Sequence, residues 1–188
     1  MTLPSEIRTE RLLLRPWKDQ DRDAFAAINA DPTVCEFFKG TLSREESDAF
    51  IDRIQSHFLE HGFGFWALEI PGVCPLVGLT GLAYAKFEAH FTPCVEIGWR
   101  LATPLWGKGY ATEAASAALD YAFDELALDE IVAFTAVGNE RSRSVMERLG
   151  MTRSADDDFD HPSVPADHPV RRHVLYRVRR ESWNGNRS

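Results

Sequence analysis

Apolar and polar positions change their spacing several times along the chain, and each change marks an element. RLLLRPW (residues 11–17) is a short apolar run that reads as a first strand. DQDRDAFAAINA (19–30) predicts a helix with Phe25 and Ile28 on its inner face. Ser43 followed by Glu46 is a capping-box signature, and Phe50, Ile51, Ile54 and Phe58 then recur at helical spacing. FGFWALEI and LVGLTGLAYA read as two strands of a hairpin joined through PGVCP. CVEIGWRLA (94–102) is the next strand. From Ala111 the apolar positions Ala114, Ala115, Ala118, Leu119, Ala122, Phe123 and Leu126 follow at offsets 3, 4, 7, 8, 11, 12 and 15, a helical stripe.

IVAFTAV (131–137) is nearly all apolar, the pattern of a central strand covered on both faces. NERSRSVMERLG follows as a helix stopped by Gly150, and RRHVLYRVRRESW alternates as a final strand. The predicted order is βααβββαβα with strands to finish, a mixed α/β sheet with helices on both faces. No repeat or low-complexity linker interrupts the chain. Residues 1–188 are therefore expected to form one domain with its core at about 8–180.

Composition narrows the function classes. Hydrophobic residues make up 44% and charged residues 27%, and the formal net charge is −8. That balance disfavours nucleic acid or an anionic membrane as partner, since both need a basic face. Cys35, Cys74 and Cys94 show no metal-like spacing and read as reduced thiols. The start MTLPSEIRTERLLLRPW has no apolar signal core, and no apolar run approaches the ~18 residues of a membrane span. A cytoplasmic location is expected.

The chemistry gathers at PLWGKGYATEA (104–114). Two glycines around a lysine, just before a helix, suit a phosphate, because glycine lets backbone N–H groups approach closely and the helix start adds free donors. A tight strand-to-helix turn that binds nothing is the alternative. A P-loop does not fit, since Lys108 is followed by Gly109, and no G-x-G-x-x-G opens a dinucleotide fold.

A strand, then WGKGYA, a long helix, and a buried strand ending in N-x-x-S together resemble the GNAT N-acetyltransferase superfamily. The phrases EIGWRL, WGKGYATEA, NERSRSVMERLGM and FDHP look most like its RimJ/RimL-type branch, which includes enzymes that acetylate N-terminal amines of ribosomal proteins. The resemblance runs from TERLLLRPW to HVLYRV. It implies a mixed, mostly antiparallel sheet of about seven strands, with a V-shaped splay between the fourth and fifth. It further implies that acetyl-CoA is the cosubstrate, with no metal, and homodimers are common among relatives.

In the family the glycine turn matches R/Q-x-x-G-x-G/A and cradles the pyrophosphate. Here Gly109 and Ala111 hold the last two fixed positions, and Trp106 stands where Arg or Gln is usual. The backbone N–H groups of Gly107, Lys108, Gly109, Tyr110, Ala111 and Thr112 are the implied cradle. Lys108 and Thr112 are candidates for side-chain contacts, a solvated Lys108 being the alternative. The resemblance assigns the thioester carbonyl to a backbone N–H within Trp99, Arg100 and Leu101, and the pantetheine arm to a slot between EIGWRL and FTAV.

An ammonium cannot attack a carbonyl, so a base must take its proton. Glu96 is the candidate: several enzymes of the family carry a catalytic glutamate on this strand, and alternation puts it on one face with Gly98 and Arg100. A structural pair with Arg100 is its alternative. Many relatives protonate the leaving thiolate with a tyrosine where this chain has Met146, and the resemblance offers Ser142 instead. Asn139 either bonds the pantetheine amide or caps a helix, and Arg141 and Arg143 either reach CoA phosphates or lie on the surface.

The expected activity is direct acetyl transfer to a primary amine, on a peptide N-terminus or a small amine such as a polyamine or aminoglycoside. A non-catalytic acyl-CoA-binding module is the rival from another class. Specificity is expected from the first two helices, their loop DPTVCEFFKG, and the acidic segment 156–169. That segment reads either as a lid attracting a cationic amine or as a solvated loop.

Overall fold

The computed structural model describes residues 6–183, so the ends of the predicted 1–188 domain lie outside the described residues. The strands are β1 (Ile7–Arg8), β2 (Leu13–Arg15), β3 (Phe65–Ile70), β4 (Cys74–Tyr84), β5 (Val95–Leu101), β6 (Glu130–Ala136), β7 (Thr152–Arg153), β8 (Phe159–Asp160) and β9 (Arg172–Arg179). The helices are α1 (Asp21–Ala30), α2 (Arg44–His61), α3 (Tyr110–Asp120) and α4 (Glu140–Arg148). The sheet runs β1-β2-β3-β4-β5-β6-β9-β7, with β8 also on β9.

The predicted mixed α/β fold is present. Nine strands replace the expected seven among the described residues, because β1, β7 and β8 are two-residue pairings too short to leave a periodic signal. The first predicted strand shortens to Leu13–Arg15, since Pro16 has no N–H to extend the ladder.

Local signals explain most boundaries. Ser43 caps α2 and accepts from the Glu46 N–H, while the Glu46 carboxylate accepts from the Ser43 N–H, a complete capping box. Ala114, Ala115, Ala118, Leu119 and Ala122 are wholly buried, so the α3 stripe faces the core as its spacing predicts. After Asp120 the helix widens into a π-helical turn over Tyr121–Glu125. On β3, Trp66, Ala67 and Leu68 are consecutive and all inaccessible, which requires cover on both faces of the sheet.

Every strand pairing is antiparallel except β5 with β6. Those two meet at one register pair, Glu96 with Val132, while β5 stays paired to β4 along its whole length. Beyond Glu96 the two strands part. This is the expected splay, and it leaves one side of Ile97–Leu101 without a ladder partner.

Candidate active site

The open side of β5 is the wall of a cleft of about 1470 Å³. Ala102 donates its N–H to the Val77 carbonyl on β4. The two-residue alternation of a strand then turns the N–H groups of Leu101 and Trp99 away from β4, toward the gap left by β6. The Arg100 N–H faces β4. Of the three backbone donors expected for a thioester carbonyl, geometry therefore leaves Trp99 and Leu101. The Leu101 carbonyl points the same way and accepts from the Trp106 indole Nε1 at 2.8 Å.

The glycine turn lies at one end of the cleft. Gly107 and Gly109 have φ of +72° and +82°, a left-handed conformation costly for any residue with a Cβ. Gly109 is the N-cap of α3 and no side chain caps that end. The first N–H groups of α3 thus remain free for an anion. Gly107, Gly109, Tyr110, Ala111 and Thr112 all line the cleft, as do Trp99, Arg100, Leu101 and Trp106. Lys108 does not; it is exposed, and its carbonyl accepts from Arg11 Nη1 at 2.9 Å.

The candidate base sits where the strands divide. Glu96 lines the cleft, and no hydrogen bond or ion pair with a described residue holds its carboxylate. The side chain is only half-buried by area, yet protein surrounds it closely enough that desolvation pushes its pKa up to about 7. The alternative pairing with Arg100 is not formed. Arg100 donates instead to Asn29 Oδ1 at 2.5 Å and stacks over Phe38, 4.1 Å from the ring centre.

On the opposite wall Asn139 is the N-cap of α4, its Oδ1 accepting from the Ser142 N–H at 3.1 Å. Its Nδ2 donates to Thr135 Oγ1 at 2.9 Å, so the capping alternative describes it. Ser142 lines the cleft, and its hydroxyl has no partner among the described residues. Met146, at the position of the family's tyrosine, is buried. Arg141 lines the cleft mouth, stacks 4.6 Å from the Trp106 ring, and pairs with Glu36 at 2.6 Å. Arg143 donates to the Val137 carbonyl and lies outside the lining.

Three of the five aspartates in the acidic segment are paired with arginines. Asp157 pairs with Arg177 at 3.0 Å, Asp158 with Arg153, and Asp160 with Arg171 and Arg172 at 3.4 Å. None of its aspartates lines the cleft. The loop DPTVCEFFKG does: Thr33, Val34, Phe37 and Phe38 form part of the wall, beside Phe50 and Phe65.

Sequence reasoning missed the support of the glycine turn. Glu113, in the first turn of α3, accepts from Thr9 Oγ1 at 2.6 Å, from the Arg11 N–H at 2.9 Å and from Arg11 Nε at 2.6 Å. Arg11 also stacks 4.7 Å from the Tyr110 ring. The phrase TERLLLRPW carried the signal, as the far end of the resemblance, without any hint of its partner.

Comparison with known proteins agrees with this geometry. The family described as "Acetyltransferase (GNAT) domain" matches residues 11–152. An uncharacterized N-acetyltransferase, YnaD of Bacillus subtilis (strain 168), is 30% identical over 95% of this chain and 99% of its own. The FsC-acetyl coenzyme A-N(2)-transacetylase of Aspergillus fumigatus is also 30% identical, over 97% of this chain and 80% of its own. The crystal structure of a GNAT-family acetyltransferase from Bacillus anthracis superposes with a TM-score of 0.78 at 28% identity, covering 94% of this chain and 99% of that one. With the splayed strands and the uncapped glycine turn, the match establishes that the chain belongs to the GNAT acetyltransferase family.

Proposed function

We propose that the protein transfers an acetyl group directly from acetyl-CoA to a primary amine, with Glu96 as the base. The observation that carries this reading is a carboxylate without a partner among the described residues, at the point where β5 and β6 part, whose pKa burial brings to about 7. A base with that pKa is ionised in about half of the molecules at neutral pH and still holds a proton well.

The free N–H groups at the start of α3 receive the pyrophosphate, and the parted strands leave room for the pantetheine arm. The Trp99 and Leu101 N–H groups are the donors available to the carbonyl oxygen as it gains charge. The amine nitrogen bonds to the thioester carbon and loses its proton to Glu96, through water where the distance requires. The carbon–sulfur bond then breaks and the thiolate leaves with the electron pair. A thiol with an ordinary pKa of ~8.5 is a fair leaving group unaided, so Ser142 has only to orient the sulfur or return a proton.

A covalent enzyme intermediate is unnecessary. None of the three cysteines lines the cleft, and burial pushes the Cys94 thiol up to about 11, far from a thiolate. Within the family, the phrases EIGWRL, WGKGYATEA, NERSRSVMERLGM and FDHP, in that order along the chain, favour the RimJ/RimL-type branch and a peptide N-terminus among the acceptors. Release of free CoA from acetyl-CoA in the presence of amines tests the reading. Acetyl-CoA should also raise the melting temperature, since it binds only the folded state. Binding without turnover on any amine would favour the non-catalytic acyl-CoA module.

A further inference from the structure

Two arginines sit within the protein, Arg15 wholly buried and Arg100 half-buried at the cleft, and they are treated differently. Arg15 is enclosed by two carboxylates, Asp21 at 2.8 Å and Glu69 at 2.6 Å. Arg100 has none among the described residues. Its one hydrogen bond with them runs from Nη1 to the neutral Asn29 Oδ1, and its flat face rests on Phe38, with the Phe50 ring centre 5.4 Å from the guanidinium carbon. Asn29 is itself fixed, because its Nδ2 donates to Ser47 Oγ at 2.8 Å and both residues are wholly buried. The guanidinium is thus held in place by neutral groups, and burial pulls its pKa down.

A guanidinium has five donors, and one is used here. Arg100 lines the cleft, so the remaining donors can be reached by whatever occupies it. A buried charge without a counter-charge is costly, and a ligand that supplies the missing anion recovers part of that cost. The guanidinium meets α1, α2 and their loop, through Asn29, Phe50 and Phe38, and has no contact of this kind with the glycine turn. A planar fork of this kind fits a carboxylate through two parallel hydrogen bonds.

We propose that the acceptor is an amine that also carries a carboxylate, and that Arg100 receives that carboxylate on the α1–α2 side of the cleft. This rests on the amine-acetylating reading above and names the substrate class. Phe37, Phe38, Phe50 and Phe65 supply an apolar wall for the body of such a molecule. The sign of charge is opposite to that expected from the acidic segment, whose paired aspartates lie off the cleft. A polyamine would set its second ammonium against a buried guanidinium, which is repulsive.

The test uses amino acids and short peptides, each paired with its carboxamide, together with diamines. Free CoA release is measured for all of them with the full-length protein. In the wild type the carboxylate member of a pair should exceed its amide at least tenfold in kcat/KM. In Arg100→Gln that ratio should fall below about threefold, with Arg100→Lys between, and the Kd for acetyl-CoA should not change.

Calorimetry on the CoA-bound protein gives a second reading that does not need turnover. There the carboxylate member should bind more tightly than its amide. Equal kcat/KM for acid and amide, a preference for diamines, or an Arg100→Gln defect in acetyl-CoA binding would each overturn the proposal while leaving the transferase reading intact. Absent turnover with preserved carboxylate binding would instead sink the transferase reading alone.

Discussion

Arg11 and Glu113 lie on the β1–β2 loop and in the first turn of α3, and they hold each other through Nε to Oε2 at 2.6 Å and through the Arg11 backbone N–H at 2.9 Å. Burial works against the charge of Glu113, but hydrogen bonds from Thr9 and Arg11 outweigh it and hold its pKa below the ordinary value. The same arginine also donates to the Lys108 carbonyl inside the glycine turn. One ion pair therefore ties the proposed cofactor cradle to the sheet edge.

Glu113→Gln should loosen that turn without touching the phosphates. The Kd for acetyl-CoA should rise about tenfold, and the melting-temperature gain on adding acetyl-CoA should shrink accordingly. Titration by calorimetry beside a thermal melt of the free variant checks it. An unchanged Kd would mean the turn keeps its shape without this support.

Glu96→Gln should keep acetyl-CoA binding and lower kcat by about 10²- to 10⁴-fold. With a pKa of about 7 on the base, wild-type activity at saturating amine should climb as pH rises through 7 and then level. The variant should lack that rise. A loss under threefold with the same pH profile would remove Glu96 from the chemistry.

The same residue makes a stability prediction of opposite direction. Its pKa is raised from 4.5 in the unfolded chain to about 7 in the fold. The fold therefore binds more protons between those values, and its stability drops as pH rises through 7. Glu96→Gln removes that liability. At pH 8 it should melt about 5 °C above wild type, and the two should converge near pH 4.5.

Two buried histidines, His57 and His173, and the half-buried His161 set the acid side. Burial lowers His57, His161 and His173, with His161 at about 4. Unfolded imidazoles titrate near 6.5, so the unfolded chain binds more protons from pH 6.5 down to about 4. Stability present above 6.5 should be lost across that window. The His161 ring lies tilted against Phe87 and His173, with centres 4.5 and 5.0 Å away, so His161→Phe keeps an aromatic ring there. Denaturant melts at pH 7 and pH 4.5 should show a smaller difference for the variant.

Removing Asp21 should be severe. It donates no proton and accepts two hydrogen bonds from Arg15, at 2.8 and 2.9 Å, with both side chains almost wholly buried. Asp21→Ala leaves a buried guanidinium with Glu69 as its one carboxylate and the Pro16 and Pro75 carbonyls as neutral acceptors, at a cost of about 3–5 kcal/mol. A melting temperature lower by about 10 °C is expected at this chain length. A fall of under 2 °C would show that Glu69 suffices.

What the sequence alone determined is local. The capping box of Ser43 and Glu46, the stop at Gly150, the α3 stripe and the uncapped turn at Gly107 and Gly109 are each settled within a few residues. Backbone hydrogen bonds and φ preferences act over that range, so spacing reveals them. The resemblance placed the splay, and the structure sets Glu96 at the point where it opens. The partners of charged side chains were decided only by tertiary structure. Arg11 meets Glu113, Arg100 meets Asn29 and leaves Glu96 alone, and Asp157, Asp158 and Asp160 of the acidic segment pair with Arg177, Arg153, Arg171 and Arg172. A charge has no preferred sequence separation, and its partner is whatever the sheet order and helix packing bring within reach. Burial, which sets the Glu96 carboxyl near 7, comes from that same packing.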